Sequence, residues 1–260
     1  MLRRVARLVH LLQRRVDLRS LVTEVTRFIQ LELDFRREVR ATDRLAEILA
    51  VTADVKVPKV YHEYCGDNTI VLEYLDGIQV TRVAEFEAAG QKPADVARKI
   101  GALYGAMIFE HGFFHGDPHP GNLLVLPDGR IGLLDFGLCK DLPKGFARKI
   151  ATMMVSALIG DSDAAFEAAA ELGFETGAIR PDHLRSLLLM VLGDSDSDDG
   201  VLDILSESRF RRIPEDFALV FRTLILLNGL SHRLAPKRRL IQAELLRHLA
   251  AGAEDRPRVA

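Results

Sequence analysis

A short segment near the middle of the chain carries three polar residues whose types and spacing could perform phosphoryl transfer. Asn122 lies five residues after Asp117, and Asp135 follows thirteen residues later as the first residue of an Asp-Phe-Gly sequence. In such a site one aspartate faces a substrate hydroxyl or an attacking water. An asparagine and a second aspartate hold a divalent metal on the phosphates of a nucleotide. The spacing therefore predicts a phosphoryl-transfer site around Asp117.

The residues between Asn122 and Asp135 favour a β-hairpin. Two apolar runs, 123–126 and 131–134, have the length of short strands, and Pro127-Asp128-Gly129 between them is typical of a turn. Such a hairpin carries Asn122 and Asp135 at opposite ends of its paired strands, so that both can converge on one metal. The alternative is a hairpin whose polar residues only cap its ends, and the Asp-Phe-Gly sequence favours the metal site.

The flanking sequence predicts the elements that position this hairpin. Apolar periodicity indicates helices over about 19–50 and 95–111, and short strands are expected at 57–61 and 69–73, before a linker at 74–77. After Gly137 the pattern is helical. Glycine and proline break it near positions 160, 173, 181, 193, 214 and 236. The expected class is α+β.

The composition restricts the class of protein. The 260 residues are 48% hydrophobic and 28% charged, and a formal net charge of −2 gives no case for nucleic-acid binding. No apolar run reaches the roughly 18 residues of a membrane-spanning helix, and the N-terminus lacks a secretory pattern. A cytoplasmic protein is expected. The arginine-rich helical pattern up to Arg40 would allow peripheral attachment to anionic lipid, and an ordinary solvated helix face is the alternative.

Four segments of the sequence resemble the UbiB/AarF family of atypical kinase-like proteins. They are Glu32-Leu-Asp-Phe-Arg-Arg-Glu38, Val71-Leu-Glu-Tyr-Leu-Asp-Gly77, Phe113-Phe-His-Gly-Asp-Pro-His-Pro-Gly-Asn-Leu-Leu124 and Leu133-Leu-Asp-Phe-Gly137. The third is similar to the catalytic loop of the family almost letter for letter. The resemblance implies a protein-kinase-like fold with a mostly helical C-lobe and an incomplete N-lobe. The implied divisions are 1–76, 77–251 and a flexible tail at 252–260.

The resemblance also implies roles for individual residues. Asp117 would be the catalytic aspartate, Asn122 and Asp135 would hold Mg²⁺ on bound ATP, and Glu38 would pair with a strand lysine that grips the phosphates. Further residues of the family motifs or of the nucleotide pocket would be Glu32, Asp34, Glu73, Leu75, His115, Phe136 and Gly137. An exposed helix face with ion pairs is the alternative for the first two of these and for Glu38.

For the whole protein, the resemblance implies ATPase or unorthodox kinase activity in support of isoprenoid-quinone biosynthesis of the ubiquinone type. The implied partners are a nucleotide, together with a membrane surface or proteins of the lipid and quinone pathways.

Several features of the family are missing from the sequence. The first lysine is Lys56, so no lysine precedes Glu38, and there is neither a Gly- or Ala-rich nucleotide loop nor a Lys-x-Gly-Gln segment. The chain resembles an N-terminally truncated member. We therefore expect Glu38 to be solvated or paired opportunistically, nucleotide binding to be weak and phosphotransfer to be negligible. Gly116 stands where ordinary protein kinases place an arginine, which argues against a switch operated by a phosphorylated activation loop.

Two other functions stay open from the residues alone. The pattern His-Gly-Asp-x4-Asn is shared with aminoglycoside and choline kinases, which would make the chain a small-molecule phosphotransferase, although those enzymes usually lack Asp-Phe-Gly. The missing lysine favours a catalytically impaired pseudokinase that acts as a binding module.

Overall fold

The computed structural model describes residues 35–174, 214–236 and 238–253. Within them the helices are α1 (Phe35–Ile48), α2 (Val83–Ala88), α3 (Pro93–Gly105), α4 (Phe146–Ile159), α5 (Ser162–Glu171), α6 (Glu215–Leu234) and α7 (Leu240–Ala253). The strands are β1 (Val55–Lys56), β2 (Ile78–Gln79), β3 (Phe113–His115), β4 (Leu123–Val125), β5 (Ile131–Leu133) and β6 (Cys139–Asp141). This mixture confirms the α+β class.

Some expectations fall outside the described residues. They are the motif residues Glu32 and Asp34, the basic N-terminal pattern, the breaks near 181 and 193, and the tail from 254 onward. The last helix reaches Ala253, so residues 252 and 253 continue a helix rather than begin the tail.

The predicted hairpin is confirmed. Strands β4 and β5 pair antiparallel with Leu123 opposite Leu133, and the N–H of Gly129 closes the turn on the carbonyl of Leu126 at 2.8 Å. The hairpin forms the centre of a four-stranded sheet in the order β1-β5-β4-β2. The pairing places Asn122, just before β4, and Asp135, shortly after β5, at the end of the hairpin away from its turn, here called its open end, and this confirms the expected convergence of the two residues.

The prediction of regular strands at 57–61 and 69–73 is wrong. The backbones of the two segments pair at one isolated bridge, between Val60 and Leu72, where the N–H of Glu73 donates to the carbonyl of Lys59 at 2.8 Å. Pro58 has no N–H to donate to a ladder, and a 3₁₀ turn at His62–Tyr64 ends the first segment. The regular strand lies slightly earlier, at β1, which pairs parallel to β5.

Three short strands, β2, β3 and β6, are not expected from the pattern. Strand β2 pairs with β4, and β6 pairs antiparallel with β3, although the sequence after Gly137 was interpreted as helical throughout. Each has only two or three residues, which is too short to show a period of two. Their pairing partners lie more than twenty residues away, so local pattern carries no sign of them.

Helix α3 confirms the element expected over 95–111 and leads directly into the motif. A π-helical segment, Ala106–His111, continues α3 and ends at Gly112, which lies in the left-handed region with φ 65°. Gly101 and Gly105 face α7 so closely that a Cβ on Gly105 would lie 2.6 Å from the His248 ring. Small residues at i and i+4 thus let α3 and α7 pack tightly behind the hairpin.

The main apolar core of the described residues joins the hairpin to the helices. Its largest fully buried side chains include Tyr104, Phe86, Phe114 and Phe136. A second, smaller cluster consists of Leu75, Leu124 and Leu126, with Leu134 packed against it. The hairpin is therefore fixed by apolar contacts on both faces, which holds its open end in a constant place. None of the described helices combines the length and apolar character needed to cross a bilayer.

Candidate functional site

The loop after β3 brings Asp117 and Asn122 into contact. The Asn122 side-chain amide donates from Nδ2 to both the carboxylate and the backbone carbonyl of Asp117, at 3.3 Å each. A 3₁₀ turn, Pro120–Asn122, reverses the chain and brings Asn122 back to Asp117. Its first residue follows His119, whose ring Nδ1 accepts from the N–H of Gly121 at 3.1 Å. Because the amide nitrogen is turned toward Asp117, the amide oxygen of Asn122 is directed elsewhere and suits a metal.

The hairpin brings Asp135 to the same place. The N–H of Leu134 donates to the carbonyl of Asn122 at 2.9 Å, so the residue before Asp135 is bonded to Asn122 itself. Asp135 is the one non-glycine residue with positive φ, 56°, among the described residues. Its Oδ1 accepts from the N–H of Gly137 at 3.2 Å. This left-handed backbone is costly for an aspartate and is retained where the surroundings enforce it.

His115 helps to hold the backbone of Asp135 in this conformation. Its Nε2 lies 2.7 Å from the carbonyl of Asp135 and 3.0 Å from that of Leu134, so this nitrogen carries the proton and donates. Its Nδ1 then accepts from the hydroxyl of Tyr104 at 3.0 Å. Both residues are buried, and burial lowers the pKa of His115, keeping the ring neutral, and raises that of Tyr104. The Phe136 ring completes the packing, edge-on to His115.

Glu38 lies against the same segment. Its Oε1 accepts from the backbone N–H of Phe136 at 3.2 Å. Burial raises the pKa of Glu38, the Phe136 N–H opposes that shift, and the nearby charge of Asp135 adds to it. The expectation of a solvated or opportunistically paired Glu38 is therefore wrong. The side chain of a residue on α1 caps the Asp-Phe-Gly backbone because the sheet and the core bring α1 beside it.

The segment just before β2 contains Glu73 and Leu75. Glu73 pairs with Lys56 at 2.7 Å and accepts from the N–H of Lys59 at 3.0 Å, and these two interactions lower the pKa of the carboxyl, the first most strongly. Leu75 is buried in the small apolar cluster under the hairpin. The carboxylate of Glu73 is thus engaged in fixing β1 to this segment, and the side chain of Leu75 lines the base of the hairpin.

Arg222 is a site residue that the sequence reasoning did not identify. Its Nη2 lies 3.0 Å from Oδ1 of Asp117, and its Nη1 donates to the carbonyl of Gly116 at 3.3 Å. It lies on α6, more than a hundred residues along the chain from Asp117. The available signal was a single arginine inside the apolar run 217–230, where a charge is unusual without a partner.

The donors at the open end of the hairpin fit magnesium. A carboxylate of Asp135 and an amide oxygen of Asn122 are hard oxygen ligands, which Mg²⁺ prefers. Among the described residues there is no group of three or more His, Cys, Asp or Glu side chains that could hold a metal. A site with two protein ligands corresponds to a magnesium ion that takes its other ligands from nucleotide phosphates and water.

The sequence is similar to a known protein family and to several of its members. Residues 1–169 match the family model described as the ABC1 atypical kinase-like domain. An uncharacterised protein of Synechocystis is 34% identical over 238 residues, which cover 87% of this chain and 42% of that protein. AarF domain-containing kinase 1 of Drosophila melanogaster is 36% identical over 159 residues, covering 60% of this chain and 31% of the relative.

A plant relative and a solved structure extend the comparison. The chloroplast protein ACTIVITY OF BC1 COMPLEX KINASE 3 of Arabidopsis thaliana is 27% identical over 242 residues, covering 87% of this chain and 33% of that protein. A Mycobacterium tuberculosis protein solved in complex with erythromycin superposes with a TM-score of 0.57 at 21% identity. The match covers 89% of this chain and 66% of that one. The fold is shared, and the chain spans less than half the length of the curated relatives.

Proposed function

Because the chain belongs to the family of the ABC1 atypical kinase-like domain, we propose that it binds ATP with Mg²⁺ at the open end of the hairpin. Membership confirms the resemblance to UbiB/AarF proteins and the kinase-like fold predicted from the motifs. The chain covers 42% or less of the relatives described above. The activity, substrates and partners of a whole protein are therefore part of the proposal.

One observation carries the proposal: Asn122 is hydrogen-bonded to Asp117 and to Leu134, the residue before Asp135. Asn122 bonds Asp117 through its side chain and the neighbour of Asp135 through its carbonyl. The loop residue Asp117 and the two residues at the open end of the hairpin are thus held close together. Polar residues that only capped the strands would not need the side-chain bond from Asn122 to Asp117.

The chemistry follows from the side chains. Asn122 and Asp135 would hold Mg²⁺, and His115 with Glu38 fixes the backbone that presents Asp135. Bound Mg²⁺ supplies neutralisation of phosphate charge and orientation of the terminal phosphoryl group. Asp117 would accept the proton of an acceptor hydroxyl or orient a water, which contributes roughly 10²–10⁴-fold in rate.

At the level of the cell, we propose that this activity supports isoprenoid-quinone biosynthesis, with a membrane surface or proteins of the lipid and quinone pathways as partners. The support for this is family membership. The names of two of the relatives refer to kinases, and one of these names the activity of a BC1 complex.

A second candidate is a catalytically impaired pseudokinase that uses the nucleotide site or its helical surface for binding. Glu38 favours it. In the described residues this carboxylate caps the N–H of Phe136, whereas the phosphate-gripping role would require it to orient a lysine. The two candidates share nucleotide binding and differ in turnover.

The deciding experiment measures Mg²⁺-dependent ATP affinity by calorimetry. Asp135→Asn should weaken binding by about tenfold or more, because a neutral amide is a poor substitute for a metal-bound carboxylate. Asp128→Asn is the matched control, since Asp128 lies exposed at the far turn of the same hairpin. Equal affinity of the wild type and Asp135→Asn would remove the proposal, and wild-type binding with no turnover would select the pseudokinase.

A further inference from the structure

We propose that Arg222 binds the terminal phosphate of the nucleotide and so makes the site prefer ATP to ADP. This inference rests on the proposed function and adds to it a phosphate-binding residue from helix α6. It begins from the contact between the Arg222 guanidinium and Oδ1 of Asp117 at 3.0 Å.

Contacts of the neighbouring residue on α6 fix the position of Arg222. Thr223, the next residue on α6, is buried, and its hydroxyl lies 3.0 Å from the carbonyl of Gly116 and 2.9 Å from that of Leu219. Arg222 donates to the same Gly116 carbonyl. Two successive residues of one helix therefore contact the loop immediately before Asp117, which fixes where the guanidinium lies.

Gly116 makes this approach possible. A Cβ at this position would lie 2.7 Å from the backbone carbonyl of Leu138 and 3.2 Å from Leu219 of α6. The loop that carries Asp117 is therefore pressed between the segment after Asp-Phe-Gly and α6. An arginine at position 116 itself would not fit, and the cation near Asp117 comes instead from α6.

The guanidinium of Arg222 is accessible to solvent beside Asp117. The Arg222 side chain is 49% exposed, and that of Asp117 is 21% exposed. Asp117 divides its oxygens between two partners, Oδ1 with Arg222 and Oδ2 with Asn122. A guanidinium has five N–H donors in a planar fork, so contacts with one carboxylate oxygen and one carbonyl leave donors for a phosphate.

The terminal phosphate is the part of the nucleotide that must come within reach. Asp117 can act on an acceptor only if the acceptor lies between its carboxylate and the terminal phosphoryl group. A guanidinium one hydrogen bond away from that carboxylate is then next to the phosphoryl oxygens as well. Arginine binds phosphate oxygens through parallel N–H groups, and such bonds are stronger than neutral ones. ADP has no phosphate at this position and would not gain this contact.

The alternative is that Arg222 is only an ion pair that holds α6 against the loop. Binding measurements separate the two, because a structural role affects all nucleotides alike. We would measure the dissociation constants of Mg-ATP and Mg-ADP for the full chain and for Arg222→Gln. Arg98→Gln is the matched control, since Arg98 pairs with Asp95 on the exposed side of α3.

Arg222→Gln should weaken Mg-ATP binding by about tenfold or more and change Mg-ADP binding by less than about twofold. Equal losses for the two nucleotides, or no loss, would overturn the inference while leaving nucleotide binding intact. If circular dichroism shows that Arg222→Gln is unfolded, Arg222→Lys decides by the same ratio. It keeps the charge but cannot form parallel bonds, so a loss confined to ATP supports the role. An unchanged ATP-to-ADP ratio in Arg222→Lys would overturn it. A wild type that binds neither nucleotide would instead reject the proposed function, and this inference with it.

Discussion

The carboxylate of Glu38 accepts a hydrogen bond from the backbone N–H of Phe136 at 3.2 Å, although 98 positions separate the two residues. A second link joins the same helix to the segment that follows. Arg44 pairs with both carboxylate oxygens of Asp141 at 2.6 and 2.7 Å, and its guanidinium lies over the Phe113 ring. Helix α1 is thus attached to the Asp-Phe-Gly turn and to β6, the strand that follows it. The orientation of Asp135 depends on a helix that lies far away in sequence.

Glu38→Ala should loosen the turn at Phe136. The substitution removes the acceptor of a half-buried N–H, and a bond to a charged group contributes about 1.5–3 kcal/mol. We expect amide hydrogen exchange at Phe136 to accelerate by about tenfold or more. Glu38→Gln is the control, since its amide oxygen can still accept. Unchanged protection of the Phe136 amide in Glu38→Ala would show that the bond does not hold the turn.

Tyr104→Phe should allow the His115 ring to populate both neutral tautomers. The buried Nδ1 of His115 would lose its donor, which costs about 1–3 kcal/mol. We expect reduced stability in urea unfolding. The ¹⁵N resonances of the ring should change from a single Nε2–H form to a mixture of tautomers. Tyr64→Phe serves as the control, because Tyr64 is 66% exposed. Persistence of the pure Nε2–H form in Tyr104→Phe would mean that the two backbone carbonyls suffice to set it.

The Lys56–Glu73 pair should stabilise the protein in a pH-dependent manner. The pKa of Glu73 is lower in the folded protein than in the unfolded chain, chiefly through Lys56. Its contribution is therefore complete above the unfolded value of about 4.3 and is lost as the pH falls through the lowered folded value. Glu73→Gln should cost at most about 1 kcal/mol at pH 7, because the pair is partly exposed, and almost nothing near pH 2.

Urea unfolding at the two pH values measures this difference, with the exposed Glu63→Gln as the control. A destabilisation of Glu73→Gln that is equal at both pH values would assign the effect of Glu73 to packing rather than to charge.

Asp117→Ala should affect turnover rather than affinity. Asp117 acts on the acceptor, and its removal leaves Arg222 without its carboxylate partner and available to phosphate. We expect the Mg-ATP dissociation constant to stay unchanged or to fall. Any measured hydrolysis should drop by roughly 10²–10⁴-fold. Phosphate release and calorimetry on the same preparations test both parts. Turnover that persists in Asp117→Ala would place the activity on another residue.

The sequence was sufficient for the parts of the site that depend on neighbours. The hairpin follows from two apolar runs around Pro127-Asp128-Gly129, and helix α3 follows from apolar periodicity over many residues. The spacing of Asp117 and Asn122, together with the Asp-Phe-Gly sequence, predicts these residues and Asp135 as one site, because a loop and a hairpin of fixed length leave few arrangements. Their convergence at one open end follows from the pairing register, in which Leu123 lies opposite Leu133.

Only the tertiary structure decided which distant groups complete the site. Three hydrogen bonds between residues distant in sequence complete the site: Glu38 with Phe136, Tyr104 with His115 and Arg222 with Asp117. They form because α1, α3 and α6 pack around one core. Strands β2 and β6 likewise exist only through their partners, being too short to leave a periodic pattern. Local sequence sets turns and periodicity within a few residues. Contacts between residues a hundred positions apart depend on many weak packing interactions throughout the fold. They therefore cannot be predicted from any single segment of the sequence.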